Sequence, residues 1–502
     1  MKRAAAATVL ATTLLFAGLS CSSDSPRAQR GEASVKRPNV VLVVMDEFPG
    51  DSLLDRHRRI DPVRYPNFAA LASDATWFRN AYSVYDSTTK AVPLILDGMR
   101  PRPGTSADRS DHPHSIYDIF ARHGYRVVDS EEASALCPPS ICKGARGTRP
   151  AIIPNLLGGR PQRFNRWVHS IKAGKPTLWV KHLLLPHGPY LYLPSGERTR
   201  PGPADPLHGM NTVPGFHDEF LTRHNEQRYL LQLGFADRLL GRLLRQLKRA
   251  GIYDDTMVVV TADHGIAFQV GVQTRRSVNQ SNVEELTPIP LIVKRPGQSR
   301  GRVSDVYART LDVTPTIADV LGWRLGYRAD GHSAFGPITA RRHSVTLTTR
   351  DFSSTVHVSG KRWEARRAAV VQRRLRQFGS GDLASLFTGI GPHRELIGRQ
   401  APTAARASVR AALAQPGLFA DVEPRSGVVP TQIAGDLSGG RAGAKRDLAV
   451  AVNGRIEAVG RSFYLDGDRT EHFALMVPQS ALQTGRNSVE LYEVVNGRLL
   501  RL

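Results

Sequence analysis

Hydrophobic residues along this chain are concentrated in short uninterrupted runs, and two of these runs lead into acidic residues. Residues 257–260 are all apolar and are followed closely by Asp263. Residues 40–45 are also all apolar and are followed directly by Asp46. Runs without alternating polar positions are typical of parallel strands that are covered on both faces of a sheet. Ligands of open α/β sheets bind beyond the carboxyl ends of the strands, so the pattern predicts that these acidic residues lie at one site.

The segments between these runs alternate between helix and strand patterns. The leucines of residues 226–247 recur at helical spacing, and this amphipathic helix leads into the second apolar run. Another helix is predicted at residues 115–124, where a glycine ends it, and another strand at residues 177–185. This rhythm predicts an α/β fold with a mostly parallel sheet sandwiched by helices.

The periodicity changes in the last part of the chain. Apolar runs at residues 448–452 and 455–459 flank Asn453-Gly454, which is the pattern of a β-hairpin. Residues 401–414, by contrast, have the pattern of a helix. The predicted divisions are an α/β catalytic domain at 38–395, a helical linker at 396–425 and a small C-terminal β-rich domain at 426–502.

The first residues have the pattern of an export signal. Lys2 and Arg3 precede an apolar stretch that ends at Cys21 and is too short for a comfortable membrane span. The small residues before Cys21 resemble a bacterial lipoprotein signal, in which this cysteine is lipidated, and a simple secretory signal is the alternative. We predict a signal peptide at 1–21, a flexible leader at 22–37 and an extracytoplasmic protein, either lipid-anchored to the outer face of the cell membrane or secreted.

Two further cysteines stand close together, Cys137 and Cys142. In an exported chain, a local disulfide fits both the compartment and the spacing of such a pair. A zinc site is the alternative, but the pair has no adjacent histidine and no additional cysteine to complete it. We therefore predict a disulfide between Cys137 and Cys142.

The charge of the chain indicates the kind of partner. The 502 residues carry a formal net charge of +23, from 68 Lys and Arg against 45 Asp and Glu. The arginines are scattered along the whole length, and the sequence shows no basic face interleaved with aromatic residues and no recognised nucleic-acid-binding signature. We therefore predict no nucleic-acid partner and expect an anionic envelope polymer or lipid as the substrate.

A third pattern supplies candidate chemistry between the two acidic strand ends. Ser87, Thr88 and Thr89 form a hydroxyl-rich turn that runs into a short apolar helix closed by Gly98. The N-terminus of a helix offers free N–H groups and the positive end of its dipole to an anion. A threonine hydroxyl at this place, deprotonated by a bound metal, could attack phosphorus or sulfur.

Four motifs follow one another in order along the chain. They are Asp46 at the end of a strand, Thr88 ten residues before a glycine, Pro186-His187-Gly188-Pro189, and Asp263-His264-Gly265. This order resembles the alkaline phosphatase superfamily, specifically its sulfatase-like branch, and the resemblance covers about residues 38–340. It implies an α/β fold and a metal-dependent hydrolase or transferase.

The resemblance implies one divalent metal ion, whose identity the sequence leaves open among Mn, Zn, Mg and Ca. Thr88 would be the nucleophile because it stands ten residues before Gly98, as the family's nucleophile stands before its glycine, and Thr89 is its rival. Glu47 is a possible further ligand or only a neighbour of the site. The implied metal ligands are Asp46, Thr88, Asp263 and His264.

The resemblance also implies residues that bind the substrate. The family's Pro-His-x-Pro histidine faces the substrate, so His187 would protonate the leaving oxygen or hold the transferred anion. Lys90, in the nucleophile turn, and Arg275, on a loop that could fold back over the anion, are further substrate-binding candidates. His182 lies within a strand and is interpreted as a core residue.

The residue at the nucleophile position separates the possible reactions. Sulfatases of the family convert a Cys or Ser to an aldehyde, in a motif that continues with Pro or Ala and then Arg, whereas residues 88–92 here read Thr-Thr-Lys-Ala-Val. Thr at this position resembles the envelope transferases that move phosphoglycerol or phosphoethanolamine, which favours phosphate esters. The alternatives are a sulfatase with an unusual nucleophile and a non-catalytic envelope-binding lipoprotein that keeps the fold.

Overall fold

The central sheet forms from the apolar runs of the sequence. The computed structural model describes residues 37–143, 150–210, 216–271 and 275–502. Within them the strands of this sheet are β1 (Val40–Asp46), β2 (Thr76–Phe78), β3 (Arg126–Ser130), β4 (Thr177–Pro186), β5 (Met257–Ala262), β6 (Leu291–Lys294) and β7 (Arg302–Ser304). Their order is β3-β4-β1-β5-β6-β2-β7. The first four of these are mutually parallel, as are β2 and β7, whereas β6 is antiparallel to both neighbours.

The middle of the sheet is covered on both faces. Every residue of β1, β4 and β5 is buried, as expected for strands without alternating polar positions. This confirms the prediction of a mostly parallel α/β sheet with helices around it. The helices are α1 (Pro66–Ser73), α2 (Thr88–Asp97), α3 (Ile116–Arg122), α4 (Ile152–Leu157), α5 (Arg160–His169), α6 (Glu219–Arg249), α7 (Val283–Leu286), α8 (Val313–Val320), α9 (Pro337–Ala340), α10 (Gly360–Phe378) and α11 (Ser385–Thr388).

The strands outside the central sheet are antiparallel, as the sequence predicts for the C-terminal region. They are β8 (Ser344–Thr348), β9 (Thr355–Ser359), β10 (Arg410–Leu413), β11 (Gln432–Ser438), β12 (Asp447–Val452), β13 (Arg455–Arg461), β14 (Glu471–Met476), β15 (Val489–Val495) and β16 (Arg498–Arg501). They form the hairpin β8-β9 and two sheets, β10-β11-β14 and β13-β12-β15-β16. The predicted hairpin joins β12 to β13, and its turn residues Asn453 and Gly454 have positive φ angles of 51° and 80°, as a two-residue hairpin loop requires.

The helix predicted at residues 401–414, within the linker, is wrong. The structure has β10 there, and this strand pairs antiparallel with β11. Alanine has the highest helix propensity, but propensity is a weak determinant of structure, and pairing with a neighbouring strand overrides it. Gly435 of β11 permits the pairing, because a Cβ at this position would lie 1.9 Å from the Ala412 carbonyl oxygen.

The described chain from Pro38 to Leu502 forms one compact unit. Its largest hydrophobic cluster contains Val40 of β1 together with Met476 of β14 and Phe463, which lies between β13 and β14. The central sheet and the C-terminal strands therefore share a core, while the predicted divisions at residues 395 and 425 stay predictions. Within the described ranges, no helix is both long enough and apolar enough to cross a bilayer.

Several sequence predictions fall outside the described residues. These are the signal peptide at 1–21 with the lipidation site Cys21, and the leader at 22–37 apart from Arg37.

Candidate metal centre and active site

The register of three strands decides which side chains share a face of the sheet. Val44 of β1 pairs with His182 of β4 on one side and with Thr261 of β5 on the other. Side chains along a strand point to alternate faces, so residues two positions apart share a face. Asp46 is therefore on the same face as His182, and Asp263, two residues after Thr261, is directed to the same place.

These side chains meet at the carboxyl edge of the sheet. One potential ligand atom from each of Asp46, His182 and Asp263 lies within 4.8 Å of the other two, and each residue is at most 1% exposed. Among the described contacts, both carboxylate oxygens of Asp46, both ring nitrogens of His182 and Oδ2 of Asp263 lack a hydrogen-bond partner. Buried polar groups normally have partners, so this cluster has the character of a ligand site.

The electrostatics of the cluster favour a cation. Burial raises the pKa of Asp46 well above its usual range, and the adjacent Asp263 raises it further. Burial also raises the pKa of Asp263 to about 7 and lowers the pKa of His182 to about 3, so this imidazole is neutral near pH 7. Two carboxylates and a neutral imidazole are donors that divalent cations accept. The residues present therefore fit the divalent ion that the sequence predicts.

The predicted ligand His264 and the predicted nucleophile Thr88 lie beside this cluster. Nδ1 of His264 donates to the Gly265 carbonyl oxygen at 2.8 Å, which leaves Nε2 as a free acceptor. Nε2 is 3.4 Å from Oδ2 of Asp263 and 3.4 Å from Oγ1 of Thr88. The structure thus brings the four predicted ligands together, and their binding of a metal stays a prediction.

The turn that carries Thr88 is fixed by Asp86, two residues before the start of α2. Asp86 accepts hydrogen bonds from the backbone N–H of Val278 at 3.2 Å and of Arg350 at 2.9 Å. Thr88 is the first residue of α2 and is 5% exposed, and the rival Thr89 is half-buried. Because the Thr88 hydroxyl is the one that contacts the histidine of the site, the geometry favours Thr88 over Thr89.

The carboxylate of Glu47 contacts two of the predicted substrate-binding residues, His187 and Arg275. Its backbone is left-handed, with φ of 55°, which is uncommon for a residue with a side chain. Its Oε1 lies 3.4 Å from Nε of Arg275, 3.1 Å from Nε of Arg276 and 3.4 Å from Nε2 of His187. Burial would raise the pKa of Glu47, but the charge of Arg275 and its neighbours lowers it below the usual range. Glu47 is therefore an ionised partner of these residues, and its possible role as a ligand stays a prediction.

The two ring nitrogens of His187 have different partners. Nδ1 donates to the Gly188 carbonyl oxygen at 2.5 Å, and Nε2 accepts from Nη1 of Arg276 at 3.4 Å. Burial lowers the pKa of His187 to about 3, so the ring is neutral near pH 7 and has no proton on Nε2 to give. Of its two predicted roles, the geometry therefore favours holding the transferred anion, through Arg276.

Two buried side chains position the loop that carries His187. Arg160 of α5 donates to the carbonyl oxygens of Leu184 at 3.1 Å and of His187 at 2.6 Å. Gln232 of α6 donates to the carbonyl oxygens of Pro186 and His187, both at 2.9 Å. The loop is therefore held by side chains from two helices rather than by its own contacts alone.

Lys90 makes contacts of another kind. Its Nζ donates to the Thr105 carbonyl oxygen at 2.5 Å and lies 5.6 Å from the centre of the Phe352 ring. These contacts engage Lys90 with the segment after α2 and with the loop between β8 and β9. Its predicted role in substrate binding gains no support from them.

Sequence reasoning missed two residues of the site. It interpreted His182 as core and named only Arg275 as a candidate, although Arg276 also contacts Glu47 and His187. A signal for His182 was present, because Lys181 and His182 interrupt a strand that is otherwise apolar and buried on both faces. The signal for Arg276 was weaker, since arginines are scattered throughout the chain.

The predicted disulfide is present. Cys137 and Cys142 are joined, with their Cα atoms 5.9 Å apart. The pair is therefore engaged in a covalent bond, and the zinc alternative is excluded.

The chain is similar to known proteins in sequence and in structure. A family model described as Sulfatase matches residues 38–138 and 162–323. An ulvan-active sulfatase from Formosa agariphila is 24% identical over 344 residues, which is 61% of this chain and 66% of that protein. An endo-4-O-sulfatase from Bacteroides thetaiotaomicron is 27% identical over 377 residues, 61% of this chain and 73% of that protein. A solved 2-O GAG sulfatase aligns with 68% of this chain and 90% of its own, with 15% identity and a TM-score of 0.49. The chain thus spans just under two thirds of the first of these relatives.

Proposed function

The chain belongs to the sulfatase family, and on that basis we propose that it is an exported, metal-dependent hydrolase or transferase acting on phosphate esters of an anionic envelope polymer or lipid. One observation carries the proposal. Oγ1 of Thr88, at the N-terminus of α2, lies 3.4 Å from Nε2 of His264, beside a cluster in which both carboxylate oxygens of Asp46 and Oδ2 of Asp263 lack a described hydrogen-bond partner. A hydroxyl, an anion-binding helix end and a cation site therefore coincide.

The proposed reaction has two displacements on phosphorus. Oγ1 of Thr88 loses its proton to solvent and forms a bond to phosphorus, while the bond from phosphorus to the ester oxygen breaks and the departing alcohol takes up a proton from water. Water, or a hydroxyl of an acceptor, then loses a proton and bonds to phosphorus, while the bond to Thr88 breaks and its oxygen regains a proton; this gives hydrolysis in the first case and transfer in the second. A divalent ion held by Asp46, Asp263 and His264 would lower the pKa of the attacking hydroxyl and offset the charge of the phosphoryl oxygens.

The other residues of the site bind and orient the phosphoryl group. The free N–H groups at the start of α2 face an anion placed at Thr88. Arg276, held by Glu47 and His187, supplies a guanidinium that suits two phosphoryl oxygens at once. Arg160 and Gln232 keep the His187 loop in place by binding its carbonyl oxygens. Together these contacts would hold the phosphoryl group beside the hydroxyl of Thr88.

Sulfate esters are the second candidate substrate class. The relatives named above act, by their names, on ulvan and on 4-O-sulfate groups, and this favours a sulfated polysaccharide. Residue 88 is a threonine, so a sulfatase built on this site would have to use an unmodified hydroxyl. A charge of +23 suits an anionic polymer of either kind.

The test compares three esters with matched variants. The metal-loaded protein is assayed with a bis-aryl phosphate, an aryl phosphate and an aryl sulfate, as wild type, Thr88→Ala, Thr88→Ser and Thr89→Ala. We expect phosphate-ester turnover that falls by at least about 1000-fold in Thr88→Ala, persists in part in Thr88→Ser and is kept in Thr89→Ala. If only the aryl sulfate is turned over, the substrate class is sulfate esters rather than phosphate esters. No turnover by the metal-loaded wild type would favour the non-catalytic binding lipoprotein.

Export and lipid anchoring are a separate part of the proposal. The pattern of residues 1–21 supports both, with Cys21 as the acylated residue. In a bacterial host, we expect labelled fatty acid to be incorporated into wild type and not into Cys21→Ala. Incorporation into neither, with wild type in the culture medium, would support the simple secretory signal instead.

A further inference from the structure

We propose that His182 is a direct ligand of the metal ion, and that this imidazole makes the centre selective for zinc-like transition metals over calcium and magnesium. The inference deepens the proposed function, because it concerns the ion on which that function depends. It adds a nitrogen ligand to the four ligands that the family resemblance implies.

The first argument is the lack of partners around His182. Among the buried histidines of the described chain, it is the only one with both ring nitrogens unpaired. His112, for comparison, is also buried and pairs Nδ1 with Asp97 at 2.6 Å and Nε2 with the Ser106 carbonyl oxygen at 3.0 Å. Leaving a buried polar group without a partner costs about 1–3 kcal/mol, so a fold that keeps one at a carboxylate cluster has a use for it.

The second argument is distance. Nε2 of His182 is 3.6 Å from Oδ2 of Asp46, and Nε2 of His264 is 3.4 Å from Oδ2 of Asp263. Hydrogen-bonded N and O atoms are closer, at about 2.7–3.2 Å. Two donors that each lie about 2.1 Å from one tetrahedral ion are separated by roughly 3.4 Å. The spacing of these side chains therefore matches donors that share a cation.

The third argument is the contrast with the adjacent residue. Lys181 points to the opposite face of β4, where it pairs with Glu132 and donates to Oγ of Ser130 at 3.0 Å. Its burial is thus explained by protein partners. The burial of His182, one position further along β4, has no such explanation. Its side chain lies on the face of the sheet that it shares with Asp46 and Asp263.

The ligand set determines which ion is preferred. Calcium and magnesium select oxygen ligands, whereas imidazole favours zinc and other transition metals. With His182, the centre has two imidazoles, from His182 and His264, beside the carboxylates of Asp46 and Asp263. Such a mixed set is typical of zinc rather than of calcium or magnesium.

The test measures metal binding to the metal-stripped full chain by competition titration with zinc, magnesium and calcium. We expect zinc affinity to fall at least about 100-fold in His182→Gln, as for loss of a ligand. Magnesium and calcium affinity should change by less than about threefold, since oxygen ligands dominate their binding. The matched control is His224→Gln, because His224 is equally buried and has an unpaired Nδ1 but lies on α6, outside the cluster. Zinc affinity equal to wild type in His182→Gln would overturn the inference.

A measurement on the wild type does not depend on the folding of a variant. Pulsed electron paramagnetic resonance of the copper-loaded protein counts the imidazoles bound to the ion. Two imidazoles support His182 as a ligand, and a single imidazole overturns it. Neither experiment uses turnover, so a protein that binds zinc through His182 without hydrolysing an ester would refute the proposed function and keep this inference.

Discussion

Two buried clusters, one around Asp51 and one around Asp46, differ in whether their carboxylates have hydrogen-bond partners. Both carboxylate oxygens of Asp51 accept from the Arg367 guanidinium, at 2.7 and 2.8 Å, and Nη1 of Arg367 donates to Asn80 at 2.9 Å. Asp46 is equally buried, but within the described chain its oxygens and Oδ2 of Asp263 have no hydrogen-bond partner. The first cluster is complete and the second needs a ligand. Unmet bonding capacity, rather than burial, therefore distinguishes the candidate site from a structural ion pair.

The largest expected effect comes from Asp46→Asn. We expect kcat/KM for the best ester to fall by at least about 1000-fold, because the site loses a carboxylate that would hold the ion. The metal-free variant should be at least as stable as wild type, since burial and Asp263 both disfavour a charge at residue 46. Kinetics and thermal melting with and without a chelator measure both quantities. A clear loss of stability in the metal-free Asp46→Asn variant would contradict the difference between the Asp46 cluster and the structural ion pair of Asp51.

Asp51→Asn should have the opposite pattern. We expect the free energy of unfolding to fall by about 3–5 kcal/mol, because Arg367 is left buried without its carboxylate. Metal content should stay at the wild-type level. Urea unfolding and elemental analysis test this, and the double variant Asp51→Asn with Arg367→Met should recover part of the lost stability. A metal content that falls with Asp51→Asn would show that the two clusters are coupled.

The pH dependence of stability should separate metal-free from metal-loaded protein. Burial raises the pKa of Asp263 to about 7, from 3.8 for an unperturbed group, so between these values the folded state keeps a proton that the unfolded state releases. The contribution of Asp263 to the stability of the metal-free protein, measured as the difference between wild type and Asp263→Asn, should therefore fall as pH rises from 4 to 7, by about 2–4 kcal/mol in all, and level off above 7. A bound cation holds the carboxylate ionised and should flatten this slope. A difference between the two metal-free proteins that stays constant across this range would contradict the expectation.

The smallest expected effect is that of the disulfide. Replacing both Cys137 and Cys142 by serine should lower the free energy of unfolding by about 2 kcal/mol, since the bond closes a short loop. Neither cysteine belongs to either acidic cluster, so metal content and turnover per bound metal should be unchanged. Urea unfolding in parallel with elemental analysis measures the two outcomes. A change in metal content would indicate that the disulfide loop contributes to the metal site.

The strand ends of the site could be predicted because parallel buried strands leave a clear pattern. The runs before Asp46 and Asp263 are apolar throughout, and the structure pairs them as β1 and β5. The ordered motifs added Thr88 and His264, which the structure brings to the same place.

The features that were not predicted correctly depend on contacts between segments that are distant in the sequence. His182 shares a face with Asp46 only through the register that pairs it with Val44, and one strand alone does not reveal that register. The alanine-rich residues before β11 were predicted as a helix, yet Gly435, more than twenty residues later, lets them pair as β10. Local patterns carry neither kind of information.

The core shared between the first strand and the last ones has a consequence for biosynthesis. Val40 is made early, whereas Phe463 and Met476 of the same cluster are made when the chain is nearly finished. Domains generally fold from the N-terminus as synthesis proceeds, but the apolar surface that those residues cover stays exposed until they have been synthesised. A chain terminated before residue 463 would therefore expose that surface and become a substrate for chaperones and proteases, with all the chemistry-bearing residues already in place.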